Sequence, residues 1–416
     1  MTPCPDPRPP RPPDTAASRP VRLAGAAVLA AGLLAGCGSA EAPAVPPIPG
    51  ASPTAASSAS PAPTTTAAAG PPGSSPCVNA TYDRLTPAQR WAQLVVVGVP
   101  AGGVSPAARA ALTKEPGGII LTDGDTASSD DVTQVVTSAQ ATGGADVPML
   151  VTADQEGGKV QELKGPGFSQ IPPATTQGKD AGALRGDART WGKELRDVGV
   201  TADLAPVADV VDPALGTANA PVGKFGRQFG TDVDTVAPAV SAFVAGMRDA
   251  KVASTLKHFP GLGEVRQNTD FAGGVVDDKT GADSPQLGSF AAGIKAGAPL
   301  VMMSSARYSK IDPDNQALFS STIMRDVLRG RLGFTGVIMT DDVGAAQALA
   351  DTPVGARATK FLAAGGDLLL TIQPQDLTPM LGAITAAAKE PAFAARAQDA
   401  VRRVLALKER QGVLHC

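Results

Sequence analysis

Histidine is scarce in this 416-residue chain: His258 and His415 are the two it has. Zinc sites usually draw on several His or Cys ligands, so this supply argues against one. Aromatic residues are 4 % of the chain while 43 % is hydrophobic. A sizeable core is available, and Ala, Val and Leu must build it. No charge dominates, with 36 Lys+Arg against 39 Asp+Glu and a net charge of -3. That leaves no basic footprint for a nucleic-acid partner. The four cysteines (Cys4, Cys37, Cys77 and Cys416) form no C-x-x-C pair, which speaks against metal or thioredoxin-like chemistry. The chain has no G-x-S-x-G and no P-loop, so serine-hydrolase and nucleotide-phosphate readings lose their usual marks. The apolar run 23–34 falls short of the roughly 20 residues of a comfortable transmembrane helix.

What is there begins with an export pattern. Residues 1–22 are rich in Pro and Arg, with Arg19 and Arg22 nearest the apolar run, and small residues follow it. Charge, a short apolar stretch and small residues in that order mark a leader. The run ends Leu34-Ala35-Gly36-Cys37, which resembles the lipobox of bacterial lipoproteins. That resemblance implies a leader over 1–36, lipidation of Cys37 and anchoring to the outer face of the cell membrane. Residues 37–76 are almost wholly Ala, Pro, Ser, Thr and Gly, too polar and too small to repay the entropy of ordering. They read as a disordered tether with a root-mean-square span of about 35 Å. Export permits disulfides, and Cys77 and Cys416 bracket the remaining chain, so a bridge between them is expected.

The domain over 77–416 carries a rhythm. Short apolar runs recur at 94–99, 118–121, 149–153, 202–207, 253–256, 300–303, 336–339 and 367–370. Several lack alternation, as parallel strands covered on both faces do. Helical spacing occupies 129–141, 184–198, 235–249, 321–331, 356–364, 379–389 and 392–410. Strand and helix alternating eight times predict an α/β fold, a single (β/α)8 TIM-type barrel, with a doubly wound sheet as the alternative. Barrel sites gather at the C-terminal ends of strands. Polar groups stand there: Asp154, Gln155 and Glu156 after the third run, Asp209 after the fourth, Lys257 and His258 after the fifth, Ser304 and Ser305 after the sixth, Asp341 and Asp342 after the seventh. Carboxylates with no metal set suit glycoside hydrolysis, where one group attacks or stabilises and a second protonates the leaving oxygen.

Four stretches carry a resemblance that covers about 84–374. They are Asp154-Gln155-Glu156-Gly157-Gly158, Ala205-Pro206-Val207-Ala208-Asp209-Val210, Lys257-His258-Phe259-Pro260-Gly261 and Gly333-Phe334-Thr335-Gly336-Val337-Ile338-Met339-Thr340-Asp341-Asp342. In order and at strand ends, they resemble glycoside hydrolase family 3, nearest its single-domain β-N-acetylglucosaminidase (β-hexosaminidase) branch. The resemblance implies that Asp341 is the nucleophile of a retaining mechanism and that Asp342 is a structural neighbour. It implies sugar binding by Asp154, Lys257, His258 and Arg227, the last within Gly226-Arg227-Gln228-Phe229-Gly230. It also implies action on β-linked N-acetylglucosamine-containing saccharides or muropeptides of peptidoglycan, with no cofactor and no metal, by a monomer of one barrel.

Departures from the pattern bear on the acid. In that branch the loop after Lys-His-Phe-Pro-Gly ends Asp-Ser-His, and the Asp-His dyad is the general acid/base. Here Asn268-Thr269-Asp270 hold those positions. Asp270 becomes the first candidate for the acid/base and Glu264 the second, with Gly261 and Gly263 as possible hinges of the loop. Leu262 replaces a histidine, and Glu162 and Lys159 replace arginines, which puts recognition of an acidic or peptide-bearing aglycone in question. A catalytically weakened sugar-binding lipoprotein, and a glycosyl-transferring or phosphorolytic relative, remain the competing readings.

Overall fold

The computed structural model describes residues 75–144 and 147–416. The leader, Cys37 and nearly all of the tether lie outside them. Eight strands close into a parallel barrel: β1 (Val95–Pro100), β2 (Gly118–Thr122), β3 (Leu150–Ala153), β4 (Ala202–Asp203), β5 (Ala253–Phe259), β6 (Leu300–Met303), β7 (Val337–Asp342) and β8 (Leu368–Thr371). Each pairs with the next, and β8 returns to β1 through Val95↔Leu369, Val96↔Leu370 and Val97↔Thr371. Closure removes the doubly wound alternative, which would leave two open edges.

The period-2 pleat sorts runs that look uniformly apolar. Val96, Ile120, Leu150, Ala253, Met302, Met339 and Leu370 form one buried cluster, the barrel lumen. Their neighbours Val95, Val97, Ile119, Val151, Val301 and Ile338 belong to the larger cluster beneath the helices. The lumen contains no aromatic ring, so aliphatic side chains fill it. The last helix, α1 (Pro391–Arg410), adds Val404 and Leu407 to that cluster and thereby stops the barrel at its N-terminal end. The first described helix, Pro76–Arg84, is fastened to the same end. Cys77 and Cys416 are disulfide-bonded with Cα atoms 5.6 Å apart. Ser75 Oγ donates to the Glu409 carboxylate at 2.8 and 2.9 Å, and Arg90 and Arg402 pack on the Tyr82 ring at 4.1 and 3.8 Å.

Element boundaries differ from the sequence reading in instructive ways. β4 stops at Asp203 because the chain enters Ala205-Pro206, and Pro206 has no N–H for the ladder. Pairing resumes only as a single bridge, Val207 to Lys257. β5 continues to Phe259, so Lys257 and His258 are strand residues rather than loop residues, as are Asp341 and Asp342 in β7. The helix expected from 129 has Ser128 as its cap, with Ser128 and Asp131 bonding each other reciprocally. The helix Leu287–Ala296 lacked a clear apolar stripe in the sequence. It forms because Gly293 admits it against β5; a Cβ there would stand 2.5 Å from Leu256 Cδ2.

Under the barrel, Lys408 is fully buried and donates to Gln93 Oε1 at 2.6 Å. Burial pushes its amine down from 10.5 to about 7. The unfolded chain therefore holds a proton that the folded chain has released, between about pH 7 and the ordinary lysine range, and stability rises with pH across that window. Chemical denaturation at stepped pH should show this rise, approaching about 1.4 kcal/mol per pH unit. In Lys408→Met the slope should flatten.

Candidate active site

The site rests on an ion network at the mouth of β3 and β5. Residues Gln155–Gly157 and Val160–Gln161 form a small antiparallel pair immediately after β3. Gln155 pins it by exchanging two hydrogen bonds with the Leu163 backbone. This hairpin holds Glu156, which is 4 % exposed, where two cations meet it. Lys257 Nζ lies 2.6 Å from Glu156 Oε1 and 2.5 Å from Asp154 Oδ1. Arg227 binds Glu156 through both Nε and Nη2, at 2.9 and 2.7 Å. Burial alone would raise Glu156, but Arg227 and Lys257 outweigh it and hold the carboxyl at about 2. Lys257 in turn is driven above its ordinary range by Asp154 and Glu156 despite its desolvation. Glu156 was quoted in the sequence motif but given no role; its place two residues from Asp154 in the same polar run was the available signal.

Asp209 organises the next part. Its Oδ1 accepts from the backbone N–H of His258 and of Leu262, both at 3.0 Å, and its Oδ2 is 2.8 Å from His258 Nδ1. His258 Nε2 lies 3.3 Å from Arg227 Nη2. A guanidinium only donates, so Nε2 accepts and Nδ1 carries the proton toward Asp209. Below them, Asp203 at the end of β4 is completely buried. Its Oδ1 accepts from Gln155 N, and Oδ2 has no partner among the described residues. Burial drives its carboxyl up to about 8, against the pull of Lys257 and with the push of Asp154 and Glu156. It is protonated at neutral pH, and no sequence signal marked it.

At β7, the two adjacent aspartates divide. Asp342 accepts from the backbone N–H groups of Gly344, Ala345 and Ile372, which ties the loop after β7 to the end of β8. Asp341 accepts one local bond, from Asp342 N at 2.9 Å, and opens into a cleft of about 200 Å³. Burial raises its carboxyl to about 6, Asp270 pushes it further up, and the N–H of Asp342 and the charge of Lys257 oppose the rise. The cleft is lined by Asp154, Arg227, Lys257, His258, Asp270 and Asp341, together with Leu262, Asn268 and Thr269. Of the strand-end residues singled out from sequence, Asp154, Lys257, His258 and Asp341 meet there, while Gln155, Glu156, Asp209, Ser304, Ser305 and Asp342 stand outside its lining.

The loop carrying Asp270 is welded at several points. Asn219, buried between the loops after β4 and β5, donates to the carbonyls of Leu262 and Val265 and accepts from Val222 N and Gly223 N. Gln347 N and Ala348 N donate to the carbonyls of Asp270 and Thr269, which holds the loop tip against the loop after β7. The Asp270 side chain is exposed on this frame. The hinge reading of Gly263 gives way to a packing role: a Cβ there would fall 1.7 Å from Val210 O. Glu264 does not line the cleft. Lys279 Nζ bonds it at 2.9 Å and Gln286 Nε2 at 3.1 Å. Glu162, which stands where the family has an arginine, accepts from Gly124 N at 2.7 Å, and burial raises its carboxyl.

With this geometry in place, comparison with known proteins is decisive. The family described as "Glycosyl hydrolase family 3 N terminal domain" matches residues 88–407. The chain belongs to glycosyl hydrolase family 3. This family 3 chain is 35 % identical over 283 residues to a beta-hexosaminidase of Stenotrophomonas maltophilia (strain K279a), covering 64 % of this chain and 79 % of that one. The solved beta-N-acetylhexosaminidase from Beutenbergia cavernae DSM 12333 is 46 % identical, with a TM-score of 0.76 over 78 % of this chain and 99 % of that chain. A family 3 beta-N-acetylglucosaminidase from Paenibacillus sp. str. FPU-7 is 29 % identical, with a TM-score of 0.72 over 80 % and 64 %.

Removing the charge of Glu156 leaves buried Arg227 without its carboxylate and Lys257 with Asp154 alone. Glu156→Gln should destabilise the glycoside hydrolase by about 3–5 kcal/mol, the usual cost of breaking a buried pair from one side. Chemical denaturation would show it as a lower midpoint at unchanged slope.

Proposed function

We propose that this chain is a retaining exo-β-N-acetylglucosaminidase acting on peptidoglycan-derived saccharides. The observation that carries this reading is the shared cleft: Asp341 with Asp270 as a second carboxyl, and Asp154, Arg227, Lys257 and His258 as a binding ring. Asp154, Lys257, His258 and Arg227 hold the hydroxyls of the terminal sugar. Asp341 attacks the anomeric carbon; the bond to the leaving oxygen breaks as a covalent glycosyl-enzyme forms. Asp270 gives its proton to that oxygen and then takes one from the water that releases the sugar, so configuration is retained. The hexosaminidase and glucosaminidase names of the relatives support the sugar. The Ala/Pro/Ser/Thr tether and the Leu34-Ala35-Gly36-Cys37 stretch support export and lipid anchoring at Cys37, which would place the enzyme at the outer membrane face, beside the wall.

Leaving-group quality separates the two carboxyls. Asp341→Ala should abolish hydrolysis of both an aryl β-N-acetylglucosaminide and N,N′-diacetylchitobiose. Asp270→Ala should retain most activity on the aryl substrate, which needs little protonation, and lose about 10²–10⁴-fold on the disaccharide. A mechanism-based fluorosugar should label Asp341 by mass spectrometry. Absence of label would favour the weakened sugar-binding reading, and sugar phosphate formed in phosphate buffer would favour the phosphorolytic one.

The pH profile follows from Asp341. Nucleophilic attack needs its carboxylate, and that group is raised to about 6. Activity is therefore present above this value and falls as pH drops through it. The acid limb of kcat/KM should bend near pH 6 and approach a tenfold fall per unit below it. A limb near pH 4 would contradict the assignment.

A further inference from the structure

A second hollow lies at the other end of the barrel. About 620 Å³ in volume, it is lined by Arg196, Arg248, Lys251, Arg410, His415 and one acid, Glu409. The concentration of cations runs against a chain whose net charge is -3. Internal contacts do not consume it. Arg196 Nη1 donates to the Gln411 carbonyl and Arg248 Nη1 to the Ala296 carbonyl, so both guanidiniums keep further donors. Asp249, the carboxylate beside Arg248 in sequence, is taken by Arg185 at 2.8 Å. Glu409 accepts twice from Ser75 Oγ.

Lys251 adds an independent oddity. Its φ is 61°, a left-handed conformation that glycine takes without cost and a lysine does not. The turn between the helix Val233–Asp249 and β5 therefore carries backbone strain at a residue whose side chain borders the hollow. The adjoining tether supplies little to neutralise this charge: Glu41 is the single charged residue between 38 and 74.

We propose that this basal cleft is an anion site for a phosphate-bearing ligand, held by Arg248, Lys251 and Arg196. Arginine forks and a lysine point charge around a concave wall match phosphate oxygens. Ser75, the first described residue, bonds Glu409 on the wall of the same cleft. Free phosphate or phosphodiester, and the headgroup of an anionic lipid, share this chemistry. The proposal does not depend on the sugar specificity of the upper site, nor on lipidation.

The full-length chain carrying Cys37→Ala, which cannot be lipidated there, would be titrated calorimetrically with inorganic phosphate and pyrophosphate. It would also be sedimented with vesicles of phosphatidylglycerol in phosphatidylcholine, and with phosphatidylcholine alone. Binding of either phosphate probe, or of the anionic vesicles over the neutral ones, supports the site and tells the two sources apart. Arg248→Glu should weaken the observed binding about tenfold or more, the scale of one lost charge-assisted contact. Lys251→Gly provides the structural control: it removes the charge and relieves the strained turn, so affinity should fall while the thermal midpoint holds or rises. Aryl-glycoside hydrolysis should not change in either variant. No binding to any probe, or equal binding by wild type and both variants, overturns the proposal.

Discussion

The barrel mouth depends on one buried carboxylate holding two buried cations. Glu156 faces Lys257 and Arg227 at 2.6 and 2.7 Å, with all three largely removed from water. Isolating any one of these charges in the interior would cost several kcal/mol, so each is tolerable only in the presence of the others. The consequence is rigidity. Lys257 can reach Asp154 because Glu156 fixes its ammonium, and Arg227 can meet His258 because Glu156 fixes its guanidinium. A sugar entering the cleft finds donors and acceptors whose directions were set during folding, which lowers the ordering cost at binding.

The same low-dielectric setting tunes the carboxyls differently. Glu156 is paired and driven down, Asp203 is unpaired and driven up, and Asp341 lies between. Three acids within one barrel mouth thus differ because of their neighbours, not their covalent structure. Asp342 adds a fourth outcome. It spends its oxygens on three backbone N–H groups and so shapes the loop beside Asp341.

How much of this was legible in the sequence follows the range of the forces involved. Strand periodicity is local, so the eight runs and most helices could be read, and closure followed from their number and order. Asp154, Lys257, His258 and Asp341 were visible because they stand just past their apolar runs, whereas Arg227 and Asp270 were reached through the family resemblance. What stayed hidden was set by distant contacts. β4 is cut short by Pro206, β5 runs three residues past the expected end at 256, to Phe259, and Gly293 lets a weakly patterned helix settle on Leu256. Glu156 and Asp203 were missed for the same reason: their importance lies in what surrounds them in space. Glu264 and Asp270 share a loop, and only the fold shows that Lys279 and Gln286 turn the first away from the cleft while the second stays at its edge.

The Cys77–Cys416 bond joins points 339 residues apart, and it does so beneath the barrel, opposite the sugar cleft. In covalent terms residues 77–416 form a closed ring. A protease that cuts a single loop on its surface would open the ring without releasing a fragment.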